Sequence, residues 1–309
     1  MPPAPMVTTA APRLYRGMAF PLTRRAALAL PALALPAQAE TPLLRLATGP
    51  RGSVAEAYGA ALCAALPATT IRVAPRHSLG SAENLQLLEA SQVQFACAWQ
   101  ESIAQSLAGP RPPQRLRALA AILGQPLVLR AAGLPNWQAL DGKRIGCSPA
   151  AEATLATISQ TLALRATTIT EAPETLATLH AEGRLEAILL APGQPIPAAL
   201  AHLPPVPLAP TEATTLRPAL PGLAPALLPD PGGAPIPGLA AWLLLLAHAG
   251  LAPAWAEPVA TLALSPALAS ALPHGALPVG EPSANPLLPG HPGARAPWAR
   301  AGHPLPEPL

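Results

Sequence analysis

The chain has 309 residues, of which half are hydrophobic and only 11% charged, with 45 prolines, 22 glycines and a formal net charge of +3. That length suits about two domains, and sparse charge with high hydropathy excludes an intrinsically disordered chain, although proline and glycine together approach the roughly 25–30% typical of disorder. Four arginines and no acid lie in residues 1–39, so without them the charge is −1 and the basic balance says nothing of nucleic acid.

From Met18 the sequence reads MAFPLTRRAALALPALALPAQAE: the basic pair Arg24-Arg25, an apolar run, then Ala37-Gln38-Ala39 as a small-residue cleavage site. Residues 1–39 are expected to be a signal peptide, with Met18 as an alternative start, and the mature periplasmic protein to begin near Glu40. The apolar run is shorter than the roughly 20 residues of a membrane span. No cysteine follows the cleavage site, which argues against a lipid anchor, and the arginine pair fits twin-arginine export as well as ordinary secretion.

Leu43 to Thr48 reads as a short strand, followed by Gly49-Pro50-Arg51-Gly52 and a helix with Ser53 and Glu56 as a capping box. Thr70 to Ala74 is the next strand. His77 to Glu101 then reads as strand end, a helix capped by Ser81 with Leu85 and Leu88 on one face, and a buried strand from Val93 to Trp99. Leu116 to Arg130 reads as a buried strand broken at Gly124-Gln125-Pro126, where the chain is expected to cross to a second lobe. There Lys143 to Cys147 is a strand, Ser148 an N-cap and Pro149 the first helical position, with Leu155, Ile158 and Leu162 on one face. Thr167 to Thr170, a helix from Pro173 to near Gly183, and a strand from Glu186 to Ala191 continue the alternation. From Pro195 to Pro237 prolines thicken and periodicity fades. Leu239 to Leu251, LAAWLLLLAHAGL, is a buried strand or helix leading back to the first lobe.

Strands alternating with helices at these lengths predict an α/β fold with two open, mostly parallel sheets. Lobe I is expected over residues 40–128 and lobe II over 129–237, with 238–309 returning to lobe I and forming a tail. Cys63, Cys97 and Cys147 fall in a helix and two strands, where buried free thiols are expected; an odd count without close spacing argues against a disulfide framework or a zinc site.

Three strand-to-helix joints share one design: Gly49 to Ser53, His77 to Ser81, and Cys147 to Ala151. Helix starts leave backbone N–H groups free, and small residues let a ligand approach them, an arrangement that favours anions. In open α/β sheets ligands bind beyond the carboxyl ends of the strands, so a cleft between two lobes would collect all three joints around a small, carboxylate-bearing solute. The candidate ligand-binding residues are Gly49, Gly52, Ser53, Ser78, Gly80, Ser81, Ser148, Ala150 and Ala151, with Gly193 at the exit of the last lobe II strand. Trp99 and Gln100 join them as an apolar wall and an amide handle; the alternative is a core position for Trp99 and a solvated Glu101. Arg51, Arg76 and Arg130 are the nearest cations. No HExxH, GxSxG or metal-suited acidic cluster occurs, and TGPRGS lacks the Lys-Ser/Thr pair of a phosphate loop, so no enzyme activity, cofactor or metal is expected.

The segment HSLGSAENLQLLEASQVQFACAWQE resembles the "GGSxENLRLLxxGxADLGFVQSD" segment of the TAXI solute receptors of TRAP transporters. Leu46 to Ser53 is similar to that family's strand and glycine-rich loop, with Thr48, Gly49 and Gly52 matching; LDGKRIGCSPAAEAT, GRLEAILLAPGQP and the terminal GHPGA resemble its later motifs, in order. The resemblance runs from about Leu43 to Gly302. It implies a two-lobed, type II-like periplasmic binding protein that passes a small organic solute to TRAP permease subunits, or, in a sensory relative, reports it to a membrane receptor. Departures concentrate at the ligand site: Trp99 stands where the family commonly has glutamine, Gln100-Glu101 replaces Ser-Asp, and Ala150-Ala151 replaces a glycine-serine-glycine stretch.

Overall fold

The computed structural model describes residues 42–67, 71–230, 233–272, 277 and 287–302; the expected signal peptide, residues 1–39, lies outside them. Three β/α pairs open the fold, β1 (Leu43–Ala47) and α1 (Val54–Ala65), β2 (Arg72–Arg76) and α2 (Ser81–Glu89), β3 (Phe95–Trp99) and α3 (Gln100–Leu107), followed by β4 (Leu116–Pro126) running into β5 (Val128–Arg130). Next come β6 (Arg144–Cys147), α4 (Glu152–Thr161), β7 (Thr167–Thr170), α5 (Pro173–Ala181) and β8 (Ala187–Leu190). The chain ends with α6 (Pro210–Leu216), β9 (Leu223–Leu228), β10 (Ile236–His248), α7 (Pro253–Ala263) and α8 (Arg295–Arg300).

These elements build an α/β fold with two sheets. The first has the order β2-β1-β3-β10-β4, with β9 also paired to β10; the second has the order β5-β8-β6-β7. The first three strands of each lobe follow one plan: β1 lies between β2 and β3, and β6 between β7 and β8, all parallel. Each lobe then receives an antiparallel strand from a segment that crosses between lobes, β10 beside β3 and β5 beside β8. The sheets are therefore mixed where a mostly parallel arrangement was expected. The same crossing segments join the lobes: β4 passes into β5 through Leu127, whose N–H donates to Leu239 O at 2.8 Å.

The 13-residue β10 settles the strand-or-helix alternative. Its first half, Ile236–Ala241, pairs with β9, its second half, Leu243–Ala247, with β3, and Ala240–His248 pairs with β4. A strand paired on both edges and covered on both faces needs no polar side, which explains its unbroken apolar run. Gly124 of β4 is required where the Trp242 ring crosses it, since a Cβ there would lie 2.8 Å from that ring. One core of the first sheet contains Tyr58, Leu62, Phe95 and Leu243, and the other Leu88, Trp242 and Leu244; in the second sheet Trp137 and Ile158 pack on one face and Leu176 and Leu190 on the other.

The α1 cap forms as the sequence predicts: Glu56 N–H donates to Ser53 Oγ at 3.2 Å, and Glu56 Oε2 accepts from Gly52 N–H at 2.9 Å. Ser81 is a correction. It is the first helical residue after the N-cap Gly80, and its Oγ instead accepts from Trp99 N–H at 3.0 Å. Ser148 precedes a short 3-10 turn without capping it, its Oγ accepting from Ala191 N–H at 3.3 Å. The GHPGA segment clamps the tail onto β4: Ala118 N–H donates to Pro289 O and His291 N–H to Ala118 O. The three cysteines are free. Burial pushes the Cys97 thiol up to about 12 and that of Cys63 up to about 11, so both are protonated at neutral pH.

Candidate functional site

The strand register creates a gap beside β10. β3 ends with Trp99 opposite Leu243, and β9 begins with Leu223 opposite Ala241, on the same edge of β10; across it Gln125 of β4 also lies opposite Ala241. A cleft of about 540 Å³ opens there between the lobes. Lobe I contributes Trp99 from the end of β3, Glu101, Ala104 and Gln105 from α3, and Gln125 and Ala241 from the floor. Lobe II contributes Ala150, Ala153, Thr154 and Thr157 with Pro192, and the segment from Ala219 to Leu223 supplies a third wall.

Each wall has a local cause. Positions 150, 153, 154 and 157 lie on one face of the helical segment, while Leu155 and Ile158 are buried on another. Trp99 keeps its ring half-buried, and its backbone N–H is held by Ser81. Gly193 has φ +79° and lies so close to the Gln125 amide that a Cβ would meet its Oε1 at 2.6 Å. Gln100 is buried and does not line the cleft; its Nε2 donates to Pro221 O at 3.3 Å and fixes the third wall, while its buried Oε1 has no partner among the described residues.

The other expected site residues lie outside this lining. Gly49 to Ser53 and Ser78 to Ser81 form a connected pair of loops at the carboxyl ends of β1 and β2, with Ser78 N–H donating to Gly49 O at 3.2 Å. Their helix starts spend backbone donors internally: Gly52 N–H goes to Glu56, Leu79 N–H to Glu83 at 2.6 Å, and Gly80 N–H to Ser78 Oγ at 3.2 Å. Ser148 and Ala151 are buried behind Ala150. Thus Trp99 and Ala150 line the cleft, Gln100 and Gly193 position groups that do, and the rest form its surroundings.

Asn84, fully buried, ties the end of β1 to its parallel neighbour β3 by donating to Thr48 O at 2.9 Å and Cys97 O at 2.7 Å. Arg130 points away from the cleft: its guanidinium donates to Ala201 O and Leu203 O, and burial lowers its pKa, with Asp230 opposing that shift. Among the described residues no Lys, Arg or His lines the cleft, and none of them forms a cluster of three His, Cys, Asp or Glu suited to a metal.

Sequence reasoning placed Glu101 at the mouth of the cleft without giving it a role, and overlooked Gln125, the α4 face and the 219–223 wall. The polar Gln125 inside an apolar strand, and the small and hydroxyl residues opposite Leu155 and Ile158, were usable signals. Residues 219–223 carry none, because only the return of β9 to the first sheet brings them there, from within the stretch expected to form lobe II.

No protein-family model matches the chain, and no curated protein matches it. Among solved structures, an ABC transporter periplasmic substrate-binding protein from Coxiella burnetii superposes with a TM-score of 0.38 at 13% identity, over 76% of this chain and 99% of that one. The methionine-binding protein MetQ gives 0.38 at 9% identity over 77% and 98%. YhfZ from Shigella flexneri gives 0.41 at 12% identity over 74% and 92%. Likenesses this distant carry neither ligand nor partner across to this chain.

Proposed function

We propose that the protein is a periplasmic solute-binding protein that captures a small, carboxylate-bearing organic solute and delivers it to a TRAP-type membrane permease. The observation that carries this reading is the cleft of about 540 Å³, a volume suited to a small molecule, walled by both lobes at the point where strands cross between them. A solute touching both walls binds the closed arrangement better than the open one and shifts the population towards it, with the crossings near Leu127 and Leu239 as the hinge.

A carboxylate on the solute is supported by the start of α3 after Trp99, which borders the cleft and whose first turn leaves backbone N–H groups without helical partners. The TRAP permease and the periplasm rest on the motif resemblance and on the signal-like residues 18–39. No chemical step belongs to this reading. Among the described residues no helix is long and apolar enough to cross a membrane.

The test is native mass spectrometry of protein exported to the periplasm and purified without refolding, followed by scattering measurements with the released solute. The reading expects an N-terminus near Glu40, a small acid released on denaturation, and a reduced radius of gyration when that acid is returned. An unprocessed, membrane-bound product, or a protein whose shape and melting point respond to no small solute, would refute it.

A further inference from the structure

We infer that the cleft holds a cationic group, an ammonium or amidinium, against Glu101, so that its solute is a zwitterion rather than a simple acid. This rests on the reading that the cleft between the lobes is the solute site. Glu101 is the only ionisable side chain in the lining, with no Lys, Arg or His beside it among the described residues. Its sole hydrogen bond among them is Gln105 Nε2 to Oε1 at 3.2 Å, and Oε2 is left open. Its position is set by packing: Gly222 lies against it so closely that a Cβ there would meet Glu101 Cβ at 2.7 Å.

A carboxylate placed beside Glu101 would meet a like charge, whereas an ammonium there gains a charge-assisted hydrogen bond and leaves the solute's own carboxylate to the α3 helix start. Trp99 lines the same cleft, and an indole is the aromatic group that attracts a cation best. The neutral Gln125 amide and the Thr154 hydroxyl favour neither sign and can complete the shell around a zwitterion. Leu220 and Leu223 leave room for an apolar tail.

Calorimetry with three related probes separates the possibilities: leucine, isoamylamine, which is leucine without its carboxylate, and isocaproate, which is leucine without its amine. Leucine and isoamylamine should each bind about tenfold or more tightly than isocaproate, and Glu101→Gln should remove about that factor for both. Glu101 is exposed, so the isosteric change leaves the fold intact, which the unfolding midpoint checks. If isocaproate binds best, or Glu101→Gln leaves isoamylamine unaffected, the ammonium site is wrong while the solute-binding reading stands. If no probe binds and no solute copurifies, both fall.

Discussion

Gly193→Ala tests how the loop after β8 shapes the cleft. Two costs arise from the geometry. Gly193 has φ +79°, and an L-residue held in that left-handed region costs about 1–2 kcal/mol. The new Cβ would also lie 2.6 Å from Gln125 Oε1 and 2.8 Å from its Cδ and Nε2. Those atoms end a flexible side chain that can swing aside, so the contact adds only the lower part of an overpacking penalty, about 1 kcal/mol. The expected loss is therefore about 2–3 kcal/mol. Gly142→Ala is the control, because Gly142 has φ +74° with nothing within 4 Å of a Cβ and meets the backbone cost alone. Urea unfolding of both variants, read from midpoints at constant slope, should place Gly193→Ala below Gly142→Ala by about 1 kcal/mol, and adding Gln125→Ala should restore that difference. Solute affinity should fall in Gly193→Ala because the Gln125 amide leaves the floor. Equal losses in the two glycine variants, with no coupling to Gln125, would show that Gly193 does not position that amide.

Trp99→Ala should weaken solute binding by about 1–3 kcal/mol while lowering folding stability by less than the roughly 3–5 kcal/mol of a core tryptophan, since the ring is half-buried; unfolding and titration on one variant decide this. Glu212, buried, accepts from the N–H groups of Ala209 at 2.8 Å, Gln138 at 2.6 Å and Trp137 at 3.3 Å, so Glu212→Ala should strand buried donors and cost about 2–3 kcal/mol in urea unfolding. His291 is fully buried as a neutral ring, Nε2 donating to Leu251 O at 3.1 Å and Nδ1 accepting from Gly293 N–H at 3.1 Å. Burial lowers its pKa, with the Leu251 carbonyl opposing and Arg117 adding to the shift, so the unfolded chain binds the proton more readily. Its contribution is complete above the unfolded value of about 6.5 and is lost as pH falls from there towards the lower folded pKa. Unfolding midpoints measured from about pH 8 to pH 5 should show this decline, and His291→Gln should flatten it.

Short-range chemistry was legible in the sequence. The Ser53–Glu56 cap, the alternation of strands and helices, and the burial of the 93–99 strand depend on residues a few positions apart, and each appears where local rules put it. Ser81 shows the limit of such rules: it has the composition of a cap, but β3 runs alongside and its oxygen takes the Trp99 N–H instead. The cleft was legible only in outline, as a meeting of strand ends. Its actual walls depend on which strands β10 pairs with and in what register, because that pairing sets the gap between Trp99 and Leu223 and lays Gln125 across from Ala241. The balance of charge also reversed with tertiary placement. Two expected anion-binding helix starts satisfy their N–H groups with the nearby Glu56, Glu83 and Ser78 side chains, and Arg130 turns to backbone carbonyls, while Glu101 faces the cleft. A local sequence specifies that a donor or a charge exists; only the contacts formed by distant segments decide whether it is spent within the fold or left for a ligand.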